Sequence, residues 1–154
     1  MLEKVITHIK NIFEIVRKYI VCSIIDSFII GIANYIFMLC MGMPWKVLIS
    51  VLIGITNIVP NFGPIVGALI GGIVIAFYDI HQTLWFLLFT IILQTIDGLL
   101  IKPKLFGKSF GISGIWMLLG MIIGGAIFGV VGFVLAPPMV AIIRYIIKDI
   151  IMKK

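Results

Sequence analysis

Long apolar runs separated by short charged segments are the feature that most restricts the possible folds of this chain. The sequence of 154 residues is 62% hydrophobic and only 12% charged, about half the charged fraction usual in soluble domains. A soluble fold of this length cannot hide so much apolar surface from water, so the surrounding solvent must be lipid. We therefore predict an all-α fold, a polytopic membrane helix bundle.

Basic residues give the chain a net charge of +6 and are concentrated in three clusters between the apolar runs. The clusters are Lys4, Lys10, Arg17 and Lys18; Lys102, Lys104 and Lys108; and Arg144, Lys148, Lys153 and Lys154. By the positive-inside rule these segments are cytoplasmic, which places both termini inside. No basic–aromatic platform accompanies them, so nucleic acid is not an expected partner.

The periodicity divides the chain into two parts. Residues 1–19 have apolar side chains at helical spacing and charges on the other face, which predicts an amphipathic interfacial helix. Residues 20–154 form the transmembrane domain. Its expected spans are 20–41, 45–59 with 63–77 as a broken pair, 83–101, and 112–127 with 137–151 as a second broken pair. Pro138 suits the start of the last helix.

The order of these spans suggests a hidden symmetry. A span followed by a broken pair occurs twice, and each unit makes one net crossing, so the second unit is inverted relative to the first. Inverted repeats with discontinuous helices recur in transporters. The hypothesis requires Asp79 and Lys104 to lie on opposite sides of the membrane.

Residues 56–72, TNIVPNFGPIVGALIGG, contain a double break within an apolar run. A break frees backbone groups that must face protein or a watery cavity, where the helix ends can hold ions or polar solutes. The candidate solute-binding residues here are Thr56, Asn57, Pro60, Asn61, Gly63 and Pro64. The alternative is a plain tight turn between two short spans at the cytoplasmic surface.

Three further polar residues lie within apolar runs. Gln94 and Asp97 are three residues apart and share a helical face, and Gln94 joins the solute-binding candidates. Asp26 and Asp97 are candidates for an ion or proton relay, since an intramembrane carboxylate needs a partner or water. The competing interpretation pairs Asp97 with Lys102 or Lys104 at the interface.

The sequence does not predict an enzyme, a catalytic residue, a metal site or a cofactor. Cys22 and Cys40 have no metal-ligand spacing and are read as small hydrophobic residues. GISG at 111–114 matches an intramembrane serine protease motif, but no histidine base lies in a neighbouring span. GKS at 107–109 lacks the glycine that a phosphate loop requires at position 102.

Three stretches of the sequence have a pattern typical of one protein family: IIDSFIIGIANYIFMLCMGMPWKVLISVLIGITNIVPNFGPIVGALIGG, QTIDGLLIKPKLFGKSFGIS and GGAIFGVVGFVLAPP. They resemble the bacterial autoinducer-2 exporter-type transporters. The last stretch doubles a proline that is usually single in that motif. Together they cover most of residues 17–147 and resemble only the C-terminal half of the longer family members. The resemblance implies a bacterial inner-membrane permease, with export of autoinducer-2 or cation/proton antiport as the activities of relatives.

From these observations we expect a permease that moves a small polar solute or ion, as a fragment or half of a longer transporter. The alternative is a non-transporting membrane scaffold or accessory protein. Expected partners are membrane lipid, a small polar solute or a cation or proton, and either further copies in a homo-oligomer or the missing N-terminal half.

Overall fold

The computed structural model describes residues 2–58 and 62–151, and these residues form α-helices with no strand among them. The helices are α1 (Leu2–Cys40), α2 (Lys46–Asn57), α3 (Phe62–Ala76), α4 (Ile80–Ile96), α5 (Lys102–Phe110) and α6 (Gly114–Ile151), with a π-helical segment at Asp97–Ile101. The predicted all-α membrane helix bundle is confirmed. Within these described residues, three stretches have the length and apolar composition to cross a membrane: Ile6–Cys40, Ile80–Phe110 and Gly114–Lys148.

Helix α1 runs from Leu2 to Cys40 without a break at the expected boundary between residues 19 and 20. The sequence explains the continuity, because no glycine or proline occurs before Gly31 and nothing interrupts the backbone ladder. The helix ends where Gly42 adopts a left-handed φ of 63°. There the Met43 N–H donates to the Met38 carbonyl at 2.9 Å, a common way to close a helix.

Helices α2 and α3 form an antiparallel pair, here called hairpin A. Gly67 lies against Ile53, and Gly71 lies against Ile49. Residue numbers therefore rise along α3 as they fall along α2, which shows that the two helices are antiparallel. At the end of the pair remote from the connection, the Trp45 indole N–H donates to the Tyr78 hydroxyl at 2.8 Å. Helices α2 and α3 correspond to the first broken pair of the sequence interpretation, with bounds that differ by one or two residues.

The sequence also predicts a loop for the basic segment 102–108, between two expected spans; this prediction is wrong, because the segment is helical and forms most of α5. Pro103 follows directly after the π-helical segment Asp97–Ile101, where the regular i→i−4 hydrogen-bond ladder is already interrupted, so its missing N–H is tolerated there. The π-helical segment Asp97–Ile101 joins α4 to α5. The helical path from Ile80 to Phe110 therefore extends beyond the expected span 83–101.

Helix α6 is broken at Gly129, whose φ of 63° and ψ of −144° are not helical. Gly124 lies against Gly132 and Ala136, and Gly120 lies against Val140. A straight helix would separate residues 120 and 140 by about 30 Å, so the two arms, 114–128 and 130–151, fold back on each other. This antiparallel pair is here called hairpin B.

The turn of hairpin B at Gly129 lies within the expected break between 127 and 137, but the second arm begins earlier than expected. The second arm begins at 130, not at 137, and Pro137 and Pro138 lie inside it, so Pro138 does not start the helix. The reason is that Gly129 supplies the positive φ needed for a tight reversal. Proline, with its φ fixed near −65°, has no access to that conformation.

The described residues cluster into two compact units. One comprises Ser23–Ile101, and the other combines the residues up to Cys22 with those from Lys102 onward. The first has a core of Ile30, Met38, Met43, Ile49, Ile53, Ile75 and Phe86. The second has a core of Cys22, Phe106, Met117, Met121 and Ala136.

Large apolar side chains are also abundant on the outside of both units. Phe28, Leu69, Ile91 and Ile127 are each more than half exposed and represent many others. Contiguous apolar surface on this scale is not found on soluble monomers. The protein is therefore an integral membrane protein, with lipid covering these faces.

Candidate functional site

A buried carboxylate–amide pair lies at the tip of hairpin A. The Asn57 Nδ2 donates a hydrogen bond to Asp26 Oδ2 at 3.0 Å, joining the last residue of α2 to the middle of α1. The two side chains are 0% and 1% exposed, respectively. The sequence analysis predicted that Asp26 takes part in an ion or proton relay and that Asn57 binds solute. In the structure these two side chains are in direct contact.

The depth of this pair follows from the packing of α2 along α1. Gly54 approaches the Ser27 carbonyl, and Gly31 approaches Gly54 and the Ser50 carbonyl, so α2 runs back along α1 from Cys40. Asp26 lies 14 residues before Cys40, or about 21 Å along the helix axis. That is short of the ~30 Å thickness of the hydrocarbon core.

Glycines on α3 hold the two arms of hairpin A together near this tip. A Cβ at Gly63 would overlap the Thr56 carbonyl, and one at Gly67 would lie 2.9 Å from Thr56 Oγ1. Thr56 Oγ1 itself donates to the Leu52 carbonyl at 2.9 Å. Thr56, Gly63 and the buried Pro64 therefore shape the tip, while Asn57 carries its polar contact to α1.

Two of the predicted site residues, Pro60 and Asn61, lie outside the described residues. The connection between Ile58 and Phe62 is where both were expected to act. Their proposed roles stay predictions.

The other polar side chains that line α1 bond within their own helix. Ser27 Oγ donates to the Ser23 carbonyl at 2.7 Å, and Asn34 Nδ2 donates to the Ile30 carbonyl at 3.0 Å. On α2, Ser50 Oγ donates to the Lys46 carbonyl at 2.6 Å. Such bonds to the preceding turn satisfy the polar group locally. These small polar side chains allow α1 and α2 to pack closely, as small residues do between membrane helices.

Gln94 and Asp97 approach the depth of the same tip by their register on α4. Gly71 packs on Phe86, and Gly72 packs on Leu87, and continuing this antiparallel register brings residue 94 opposite Gly63. Gln94 is partly exposed, whereas Asp97 is 2% exposed. Asp97 also opens the π-helical segment, and such irregular turns are frequent at functional sites.

The pairing of Asp26 with Asn57 was not visible in the sequence. The residues are 31 positions apart, and only the packing of α2 on α1 brings them together. One signal was available, because Gly31 on α1 and Gly54 on α2 are small residues that permit close approach. Among the described residues, no three His, Cys, Asp or Glu side chains are grouped as a metal site would require.

Comparison with known proteins identifies the family. The sequence matches the AI-2E family transporter over residues 1–152. The chain belongs to the AI-2E transporter family. The resemblance stated from the sequence motifs is thereby confirmed, and the AI-2E family is one of transporters.

Three AI-2E relatives illustrate the degree of similarity. The "Putative transport protein YrrI" of Bacillus subtilis is 27% identical over 131 residues, which is 85% of this chain and 36% of the relative. The "Putative transport protein YueF" of the same organism is 27% identical over 143 residues, 92% of this chain and 38% of the relative. The "AI-2 transport protein TqsA" of Escherichia coli is 22% identical over 142 residues, 92% and 41% respectively.

The chain therefore spans less than half the length of these AI-2E relatives. No solved structure matches it significantly.

Proposed function

We propose that this chain is part of a permease that moves a small polar solute or ion across the bacterial inner membrane. Membership in the AI-2E family supports a transport role, and the Asp26–Asn57 pair is the observation that carries the site. The name of the relative TqsA states what that protein transports, not what this chain transports. For this chain, only the chemistry of the site indicates the class of solute.

That chemistry favours a cation or a proton. Asp26 brings a carboxylate into an apolar unit, where an isolated charge is costly and a bound proton or cation lowers the cost. Asn57 ends α2, so the carbonyl end of a helix with its partial negative charge lies at the same place. Both features attract positive charge, and the Asn57 amide donates one bond to the carboxylate in addition.

The shape of hairpin A supports a re-entrant arrangement. With the termini in the cytoplasm, α1 leads outward and hairpin A enters from the outer side. Its tip ends about 9 Å before the inner boundary, if the hydrocarbon core is ~30 Å thick. A plain turn at the cytoplasmic surface, the alternative interpretation, requires longer arms than α2 and α3 provide.

Asp97 is proposed as the second relay group, with Gln94 beside it on the solute path. Two observations support this proposal: extrapolation of the antiparallel register of α3 and α4 from Gly71 and Phe86 pairs residue 94 with Gly63, and the π-helical segment gives the backbone an irregular turn at Asp97. Relay between two carboxylates is a recurring device in membrane transport of protons and cations.

The proposal is tested by flux through vesicles that contain the purified chain. Proton and sodium movement are followed with dyes, and Asp26→Asn and Asn57→Ala are compared with Ser27→Ala. Ser27 is the matched control because its hydroxyl bonds to its own helix. We expect Asp26→Asn to abolish coupling and Asn57→Ala to reduce flux about tenfold, since a lost bond to a buried charge costs about 1–3 kcal/mol.

Normal flux in well-expressed Asp26→Asn and Asn57→Ala would contradict the site. Absence of flux with the unaltered chain would favour the second function, a scaffold or accessory protein. The chain's coverage of less than half of its relatives is the observation that favours this alternative.

A further inference from the structure

The unit that contains hairpin B has a polar cavity unrelated to the transport candidates. It has a volume of about 270 Å³ and lies between the N-terminal part of α1, the end of α5 and the second arm of hairpin B. The charged and hydrogen-bonding side chains around it are Asn11, Glu14, Lys18, Arg144, Tyr145 and Lys148. We refer to it as the basic cavity.

The charge balance of the basic cavity is positive. Three cationic side chains, those of Lys18, Arg144 and Lys148, line it together with the single carboxylate of Glu14. Glu14 is already engaged, because its Oε1 lies 3.1 Å from Lys18 Nζ. The remaining cationic charge favours an anionic occupant that brings several acceptor oxygens.

The walls of the basic cavity are fixed by bonds within the protein. The Arg144 guanidinium donates to the Gly111 carbonyl at the end of α5. Asn11 Nδ2 donates to the Tyr145 hydroxyl at 2.8 Å, and His8 Nδ1 lies 2.9 Å from the same hydroxyl. These bonds hold Arg144, Asn11 and Tyr145 in place, so part of the polar lining is positioned before an anion arrives.

An apolar groove adjoins the basic cavity and shares Arg144 with it. The groove has a volume of about 400 Å³, and Trp116, Val140, Ile143 and Ile147 line it. Ile143, Ile147 and Trp116 are each about half exposed or more, so the groove opens toward lipid. A polar cavity and an apolar groove joined at one arginine match the two parts of a phospholipid.

We propose that this unit binds an anionic phospholipid, with the phosphate in the basic cavity and an acyl chain in the apolar groove. Basic pockets between helices on the cytoplasmic side of a membrane suit anionic headgroups. A free phosphate would fill the cavity but leave the groove unoccupied. The adjoining apolar groove therefore favours a lipid over a free phosphate as the occupant. The inference does not depend on which solute is transported.

The test uses quenching of Trp116 fluorescence by lipids with brominated acyl chains. The full chain, carrying Trp45→Phe and Trp85→Phe, is placed in phosphatidylcholine vesicles. A minor fraction of brominated phosphatidylglycerol or brominated phosphatidylcholine is then added. Because Trp116 lines the groove, a bound anionic lipid quenches it at a lower fraction than the zwitterionic lipid does.

Lys148→Gln is the main variant, and Lys18→Gln is a second in case the first folds poorly. Each is expected to reduce the preference for the anionic lipid roughly fivefold, from the attraction of one basic residue near the surface. Lys104→Gln is the matched control, since Lys104 lines neither the cavity nor the groove, and it should retain the preference.

Equal quenching by the two lipids would overturn the proposal, as would an unchanged preference in folded Lys148→Gln and Lys18→Gln. Addition of soluble glycerol phosphate separates the two sources of phosphate. If it removes the preference at concentrations comparable to the lipid, the cavity is a site for free anions and the lipid assignment is wrong.

Discussion

At the scale of single residues, small side chains decide how closely the helices approach the candidate site. Gly63 lies so close to the Thr56 carbonyl that no other residue fits without displacement. The close approach holds the end of α2, and with it Asn57, opposite Asp26. A polar pair buried this deeply depends on its geometry, because a displaced partner removes a hydrogen bond that water does not replace.

We expect Gly63→Ala to destabilise the protein by about 1–3 kcal/mol, since the added methyl group displaces a backbone carbonyl. Gly72→Ala is the matched control on the same helix, because its Cβ would lie 3.3 Å from the flexible end of Leu87. Thermal unfolding in detergent measures both. Equal unfolding midpoints for the two variants would contradict the close approach at Gly63.

At the scale of elements, two antiparallel hairpins repeat one design with different breaks. Hairpin A has its connection at residues 58–61, and hairpin B turns at Gly129. In both, glycines spaced along one arm face the other arm. They let the two backbones approach closely, and the resulting van der Waals contact stabilises the pair, because the hydrophobic effect does not drive helices together within lipid. The two arms of hairpin A and the first arm of hairpin B have 12 to 15 residues, or about 18–22 Å of helix, which is short of the ~30 Å hydrocarbon core.

The fold-back of hairpin B predicts a specific disulfide. A Cβ at Gly125 would lie 3.5 Å from Phe133 Cβ, within the range that disulfides require. We expect Gly125→Cys with Phe133→Cys to cross-link within one chain on mild oxidation, in a background with Cys22→Ala and Cys40→Ala. A straight helix would separate these positions by about 12 Å.

Peptide mapping under non-reducing conditions identifies the bond. The pair Gly125→Cys and Leu135→Cys is the control, because Leu135 is exposed on the outer surface. Equal cross-linking of both pairs, or none in either, would show that the arms do not pack in this register.

At the scale of the whole molecule, the inverted repeat stays a prediction drawn from the order of the elements along the chain. The part of α1 from Ser23 to Cys40 precedes hairpin A, and the helical path from Ile80 to Phe110 precedes hairpin B. Asp79 caps α4 by accepting from the His81 N–H at 2.8 Å, and Lys104 lies in α5 at the other end of that path. The inverted-repeat hypothesis requires this path to cross the membrane.

Cysteine labelling of intact cells tests that crossing. We expect Asp79→Cys to react with an impermeant reagent from outside, and Lys104→Cys to react only after the cells are opened. The physical reason is the basic segment around Lys104, which the positive-inside rule retains in the cytoplasm. Labelling of both positions from the same side would rule out the inverted repeat.

Sequence alone determined the lipid environment, the all-helical class and the family, because composition and motif spacing are local properties that survive without knowledge of packing. It also singled out Asp26 and Asn57, since polar groups in apolar runs are conspicuous. It placed the start of the last helix at 137 and not at 130, because Pro138 was taken as a helix start although Gly129, with its positive φ, makes the turn.

Only the tertiary structure decided that Asp26 bonds Asn57, that Gly63 lies against Thr56 and that Lys18 and Lys148 share one cavity. These relations join residues far apart in the chain. They depend on how closely one helix backbone approaches another. That distance is set by packing in three dimensions, and the periodicity of residues along a single helix does not reveal it.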